Sequence, residues 1–161
     1  MINEEVITIL LKDDPKKLNR LIDSSNLEFA NSKGETILWQ ATNARSINCV
    51  KLLLEKGANV NTYDNDGWTP MHIAVQNNDI EMVELLMQYH PNINQQNKYG
   101  NNVIWTAVFN SRGEDYLIAL LLKNGADPLV KNKSNISAID LAKRIANYDN
   151  ISVFKEFGIG I

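Results

Sequence analysis

The chain has a single cysteine, Cys49, so it can form no internal disulfide, which fits a reducing compartment. It has only two histidines, His72 and His90, and neither has a partner at metal-ligand spacing. No apolar run reaches the roughly 18 residues that a membrane-spanning helix needs, so no membrane partner is expected. Basic residues are not in excess: 16 Lys plus Arg stand against 19 Asp plus Glu, a formal charge of −3. Nonspecific nucleic-acid binding needs clustered Lys and Arg to displace counterions, so nucleic acid is not expected as a partner. The first residues, Met-Ile-Asn-Glu-Glu, carry acids where a secretory leader carries bases, and a cytoplasmic location is expected. Asn135-Ile136-Ser137 and Asn150-Ile151-Ser152 match the glycosylation triplet, but without a secretory leader they are read as coincidence. Phosphate-loop, dinucleotide, zinc-protease and nucleophile-elbow motifs are all missing. The segment Thr62-Tyr63-Asp64-Asn65-Asp66-Gly67 is a failed calcium loop, because Thr62 would be the first ligand and Ile73 the twelfth. The apolar share is 44% over 161 residues, enough to bury a continuous core.

What the chain does have is self-similarity. Gly34, Gly67 and Gly100 are spaced by 33 and 33 residues. Around them stand Glu35-Thr36-Ile37-Leu38-Trp39-Gln40-Ala41, Trp68-Thr69-Pro70-Met71-His72-Ile73-Ala74 and Asn101-Asn102-Val103-Ile104-Trp105-Thr106-Ala107. A second signature follows each: Leu52-Leu53-Leu54 before Gly57-Ala58, Leu85-Leu86-Met87 before His90-Pro91, and Leu120-Leu121-Leu122 before Gly125-Ala126. Thr36 to Gly57 and Thr69 to His90 are each 21 apart, but Asn102 to Gly125 is 23. The two extra residues fall in Ser111-Arg112-Gly113-Glu114, between the two helices of the third unit. Shifted by two, Asn135-Ile136-Ser137-Ala138-Ile139-Asp140-Leu141-Ala142 is in register as a further unit.

Period, Thr-Pro-Leu-His-like start and Leu-Leu-Leu…Gly-Ala end recur in phase, and this pattern resembles the ankyrin repeat. The resemblance covers nearly the whole chain. It implies an all-α solenoid of stacked helix-turn-helix units joined by hairpin-like loops. One domain, 1–161, is expected: an N-terminal capping unit at 1–30, full repeats at 31–63, 64–96 and 97–131, and a C-terminal capping unit at 132–161. Pro70 and His72 occur only in the middle repeat, and the first cap does not align cleanly in its loop.

Local chemistry fits that plan. Thr36, Thr69, Asn102 and Ser137 are placed to cap helices through their side-chain oxygens. Pro70 suits the first helical position. Gly57 and Gly125 suit the left-handed residue after a helix, and Pro91 stops the helix where His90 replaces glycine. Ala41, Ala74, Ala107 and Ala142 recur at one position, which lets helices approach closely. The pairs Leu52/Leu53, Leu85/Leu86 and Leu120/Leu121 are expected to form the core between stacked units. Leu18, Leu21 and Ile22 are expected as the apolar stripe of the first cap. Asn147 to Asn150 are expected to open the last helix, with Ile151, Phe154 and Phe157 turned inward. His72 and Cys49 are read as structural, Cys49 occupying the position of Met82.

Stacked repeats offer an extended concave surface, and partners of the ankyrin family commonly lie along the hairpin tips and the exposed face of each first helix. Carried onto this sequence, that implies partner-binding positions at Lys33, Glu35, Tyr63, Asn65, Asp66, Trp68, Gln76, Lys98, Tyr99 and Phe109. Ser32 and Asn101 belong to the same tips; Asn43/Ala44, Asn77 and Asn110 belong to the helix positions; Gln96 and Lys131 lie at the strand-like ends of the loops. The repeat does not require large aromatics there, yet Tyr63, Trp68, Tyr99 and Phe109 occupy four of the positions; exposed aromatics anchor interfaces, or they pack on their neighbours. Trp39 and Trp105 stand at the position of His72 and are expected to pack partly buried. From Lys56 to Lys98 no Lys or Arg intervenes, whereas Asp64, Asp66, Asp79, Glu81 and Glu84 do; a basic partner patch would suit this stretch, unless these acids merely solvate a turn and an outer helix. The expected function is non-enzymatic protein binding by a monomer without metal or cofactor. A narrower alternative is an inhibitor or immunity protein that covers the active site of a toxic enzyme; another is a scaffold that bridges two proteins.

Overall fold

The computed structural model describes residues 3–111, 115–145 and 151–160. Among them are ten α-helices and one isolated antiparallel bridge, Ala30 to Thr36, so the all-α expectation holds. The chain forms two compact units, Met1–Pro91 and Asn92–Ile161. In the first, α1 (Glu4–Leu11), α3 (Ile37–Asn43) and α5 (Pro70–Gln76) alternate with α2 (Pro15–Leu21), α4 (Ile47–Glu55) and α6 (Ile80–Met87). There α3 packs between α1 and α5, and α4 between α2 and α6. In the second, α7 (Val103–Asn110) packs on α8 (Tyr116–Lys123) and α9 (Ala138–Arg144), while α10 (Ile151–Glu156) packs on α8 and α9. None of these helices is long and apolar enough to cross a membrane.

Each odd-numbered helix begins where a short polar side chain can take a free backbone amide. Thr36, Thr69, Asn102 and Ser137 cap α3, α5, α7 and α9 as the sequence implies, and Asn3 does the same for α1. Among the second helices, Asp14 and Asp79 cap α2 and α6. The Asp14 carboxyl lies below its ordinary range, held down by the backbone amide of Lys17 and then by the Lys17 side chain at 3.4 Å.

The small-residue position is fully buried: Ala41, Ala74, Ala107 and Ala142 have at most 3% of their surface exposed. The leucine pairs are asymmetric. Leu53, Leu86 and Leu121 are completely buried, whereas Leu52, Leu85 and Leu120 are only half-buried, because one residue along a helix turns the side chain about 100° away from the core. Two cap residues also depart from expectation. Leu21 and Phe157 are exposed, and the apolar stripes run through Leu18 and Ile22 in the first cap and through Val153 and Phe154 in the last. Ile151 is half-buried. Residues 147–150 lie outside the described residues, as do 112–114. The connection from Asn110 to Tyr116 is nonetheless longer than those from Asn43 to Ile47 and from Gln76 to Ile80, which places the two extra residues between α7 and α8.

The ends of the second helices show one local conflict. Gly57 follows α4 at φ +91° and Gly125 follows α8 at φ +87°, both in the left-handed region. His90 takes the same role at φ +51°, where its Cβ crowds the backbone. The amides of Gly57, His90 and Gly125 each reach back three residues to a carbonyl, at 3.0, 3.2 and 3.0 Å, but Pro91 has no N–H to repeat the next bond, which the Ala58 and Ala126 amides make to the Leu53 and Leu121 carbonyls at 3.0 Å each. Replacing His90 with glycine relieves strain of about 1–2 kcal/mol and returns roughly 0.5–1 kcal/mol as extra freedom of the unfolded chain. His90→Gly is therefore expected to stabilise the protein by about 0.5–1 kcal/mol, read as a higher urea midpoint; an unchanged or lower midpoint contradicts the strain.

Candidate functional site

The loop tips are built from one repeated hydrogen-bond plan. Asn31 Oδ1 accepts the amides of Lys33 and Glu35 at 2.9 and 3.2 Å. Asp64 Oδ1 accepts those of Asp66 and Trp68 at 2.9 and 2.8 Å. Asn97 Oδ1 takes Tyr99 and Asn101 at 2.9 and 3.1 Å, and Asn132 Oδ1 takes Ser134 and Ile136 at 2.9 and 3.0 Å. In each case the same residue's backbone carbonyl accepts the amide three residues on, from Gly34, Gly67, Gly100 or Asn135. A short Asn or Asp side chain that mimics a backbone turn is what fixes such a loop.

Neighbouring tips within a unit are tied by backbone. The Asn65 amide donates to the Lys33 carbonyl at 2.8 Å, and Asn65 Nδ2 donates to the Ser32 carbonyl at 3.0 Å. In the second unit the Lys133 amide donates to the Tyr99 carbonyl at 3.0 Å, and Gln96 Nε2 reaches the Lys131 carbonyl at 3.2 Å. This approach leaves no room for a side chain. A Cβ on Gly34 would lie 2.6 Å from Asn65 Oδ1 and 3.0 Å from its amide; one on Gly100 would lie 2.8 Å from the Lys133 amide.

On this frame the positions implied by the resemblance take up different tasks. In the first unit Lys33, Tyr63, Asn65 and Gln76 are exposed, with 60% of Tyr63 open to solvent. Lys33 and Asn65 meet through the tie just described. Glu35 is half-buried, and its carboxylate accepts Asn31 Nδ2 at 2.6 Å and Gln40 Nε2 at 3.3 Å. Asp66 and Trp68 are half-buried. Trp68 packs edge-on against His72 at 5.6 Å between ring centres, and its carbonyl accepts Trp39 Nε1 at 3.0 Å. In the second unit Lys98 is exposed with its ammonium 5.0 Å from the centre of the Tyr99 ring, and Tyr99 itself is 53% exposed. Phe109 is 62% exposed, and its inner face stacks on Trp105 at 5.4 Å and 13°. Trp39 is buried and Trp105 half-buried, with Trp105 Nε1 buried and unpartnered. The acidic stretch is partly committed to structure: Asp64 holds its tip and Asp79 caps α6, which leaves Glu81 and Glu84 exposed on that helix.

One part of the surface escapes the sequence reading. Asp13, Arg45 and Asn78 share a left-handed backbone at φ +47°, +56° and +51°, just beyond α1, α3 and α5. That places Leu11 in register with Asn43 and Gln76, and Ile7 in register with Trp39 and His72. Leu11 is 71% exposed and Ile7 36%. The signal is present as Lys12-Asp13-Asp14 beside Asn77-Asn78-Asp79, each ending directly before a helix.

Reactive chemistry is muted. His72 is fully buried, with Nδ1 2.8 Å from Thr69 Oγ1 in a reciprocal cap at the start of α5. Cys49 is fully buried, and its thiol is pushed up to about 12, first by burial and then by the neighbouring Asp13 carboxylate. Among the described residues no group of His, Cys, Asp and Glu could hold a metal ion.

The model of the family of ankyrin repeats, in three copies, matches residues 3–97 and 64–132. The chain belongs to the ankyrin-repeat family. It is 35% identical over 135 residues to the mouse (Mus musculus) B-cell lymphoma 3 protein homolog, a match over 80% of this chain and 30% of that protein. A putative ankyrin repeat protein, L92, of Acanthamoeba polyphaga mimivirus is 42% identical over 80 residues, 49% of this chain and 19% of that protein. Ankyrin repeat domain-containing protein 49 of Drosophila melanogaster is 49% identical over 57 residues, 35% of this chain and 26% of that protein. The chain thus spans less than a third of the length of these relatives. Ankyrin repeats generally mediate protein–protein interaction, and in this chain the close approach of neighbouring tips depends on the glycines at 34 and 100. Gly34→Ala is expected to cost about 2 kcal/mol or more, from a left-handed Cβ together with its clash on Asn65. Gly57→Ala, which meets no atom within 4 Å, costs only the strain of about 1 kcal/mol. Equal losses of stability in urea titrations of the two variants contradict the close approach.

Proposed function

We propose that this chain is a non-enzymatic, cytoplasmic protein-binding module whose contacts are the loop tips and the exposed faces of the first helices. In the first unit the contact residues are Lys33, Glu35, Tyr63, Asn65, Asp66, Trp68 and Gln76; in the second they are Lys98, Tyr99 and Phe109. The observation that carries this reading is the exposure of Tyr63, Tyr99 and Phe109, at 60%, 53% and 62%. Solvent-facing aromatics at these positions cost solubility and bury little of their surface within the unit, whereas desolvated aromatics anchor interfaces. The roles are divided: Tyr63, Tyr99 and Phe109 are the anchors, Trp68 holds the edge of its tip against His72, and Lys33, Asn65 and Gln76 supply polar contacts around them. Membership of the ankyrin-repeat family supports protein as the class of partner. The buried, neutral Cys49 thiol suits a reducing compartment.

The test is capture from native cytosol with the wild-type chain, identification of the retained protein by mass spectrometry, and titration of that protein against a Tyr63→Ala/Tyr99→Ala variant. The expected result is an affinity loss of about tenfold or more with an unchanged melting temperature, since both rings stand largely in water. Affinity that survives the double substitution removes these rings as anchors.

A further inference from the structure

We infer that the surface shared by α1 and α3 in the first unit is a docking groove for a partner segment in which an aliphatic or aromatic side chain stands next to an arginine or lysine. This rests on the protein-binding reading above and gives the partner a chemistry. Two depressions meet there. One, of about 370 Å³, has an apolar floor that includes Ile7, Leu11, Trp39 and Ala44, with Lys33 and Glu35 at its edge. Ile7 and Leu11 are one helical turn apart and so present a single apolar strip. The other, of about 600 Å³, shares Ile7 and Gln40 with the first and is otherwise lined by Asn3, Glu4, Thr8 and Asn31.

Much of the hydrogen-bonding capacity of the second depression is in use. Asn3 Oδ1 takes the Val6 amide, and the Thr8 hydroxyl donates to the Glu4 carbonyl. Asn31 is engaged by its own tip and by Glu35, and Gln40 Nε2 is also turned to Glu35. Gln40 Oε1 is buried, out of reach of an occupant. The charged group among the described lining residues is the Glu4 carboxylate, which is exposed, and no described Lys or Arg lines this depression. An acidic occupant would meet Glu4 and the nearby Glu35; a wholly apolar one would desolvate the Glu4 carboxylate without compensation. A guanidinium or ammonium group pairs with Glu4 while its apolar neighbour covers Ile7 and Leu11.

The experiment pans a phage-displayed library of random peptides against the whole chain. The best peptide is then synthesised and titrated against wild type, Leu11→Ser, Glu4→Gln and Tyr63→Ala. The expected peptides carry Arg or Lys beside an apolar residue. Leu11→Ser is expected to weaken binding about tenfold, and Glu4→Gln about threefold or more, with circular dichroism melts unchanged for the exposed Leu11. Replacing the peptide's basic residue with glutamate should abolish binding. Absence of any enriched peptide, enrichment without a cation, or affinity indifferent to Leu11→Ser and Glu4→Gln overturns the groove. Binding that falls with Tyr63→Ala but not with Leu11→Ser also overturns it and leaves the tips as the protein-binding surface; the native-partner titration against Tyr63 and Tyr99 judges that broader reading separately.

Discussion

The backbone tie between successive loops is the constraint on which the rest of each unit depends. An amide of one tip donates to a carbonyl of the tip before it, at 2.8 Å from Asn65 to Lys33 and 3.0 Å from Lys133 to Tyr99. Two consequences follow. The turn residue facing that contact cannot carry a side chain, which is why glycine stands at 34 and 100. The donors and acceptors that remain inside each tip must be satisfied locally, and Asn31, Asp64, Asn97 and Asn132 do so with a single carboxamide or carboxylate oxygen each. Side chains that project from such tips need no further ordering when a partner arrives, so less of the interaction is lost to entropy.

The helices beneath supply the apolar burial that holds the loops in place. No single helical pair can cover its own apolar face, so its stability comes from its neighbours. In the first unit α3 and α4 are covered on both sides, and the alanine at 41 together with the leucine at 53 marks the innermost line of that packing. Polar cross-links add register. Arg45 donates to the Asn77 carbonyl at 2.6 Å, Ser46 donates to the Leu10 carbonyl, and Asp13 accepts the amides of Asn48 and Cys49. Each links one pair to the next at the turn between its two helices, opposite in task to the loop ties and repeated with different side chains.

The fold was legible because its determinants recur at a fixed interval. A period of 33 residues, a capping hydroxyl or amide, and a glycine at the turn are local facts, and each acts where it stands. The asymmetry of the leucine pairs was a matter of helical phase, which a doublet alone does not reveal. The tip residues at 31, 97 and 132 went unread because their signal is a single Asn placed three residues before the turn, whereas Asp64 stood out by its charge. Leu11 was hidden by a different cause: the first helix carries no Thr-Pro start, so in the sequence its register shows only through the faint match of Asp13-Asp14 to Asn78-Asp79, and it becomes plain from the backbone of Asp13, which matches that of Arg45 and Asn78. The proposed anchors were the least legible part. Whether Trp68 or Tyr63 faces water depends on what lies beside it, and the structure gives Trp68 a neighbour in His72 while leaving Tyr63 largely open.

Native-state amide hydrogen exchange resolved by NMR tests the central claim most directly. If the tips are locked to one another, the amides of Asn65 and Lys133 exchange at rates close to those of buried helical amides such as Leu53 and Leu121, far slower than exposed loop amides. Exchange of Asn65 and Lys133 at the rate of an open loop, with Leu53 and Leu121 still protected, would show tips that are not held by the fold and would contradict the account.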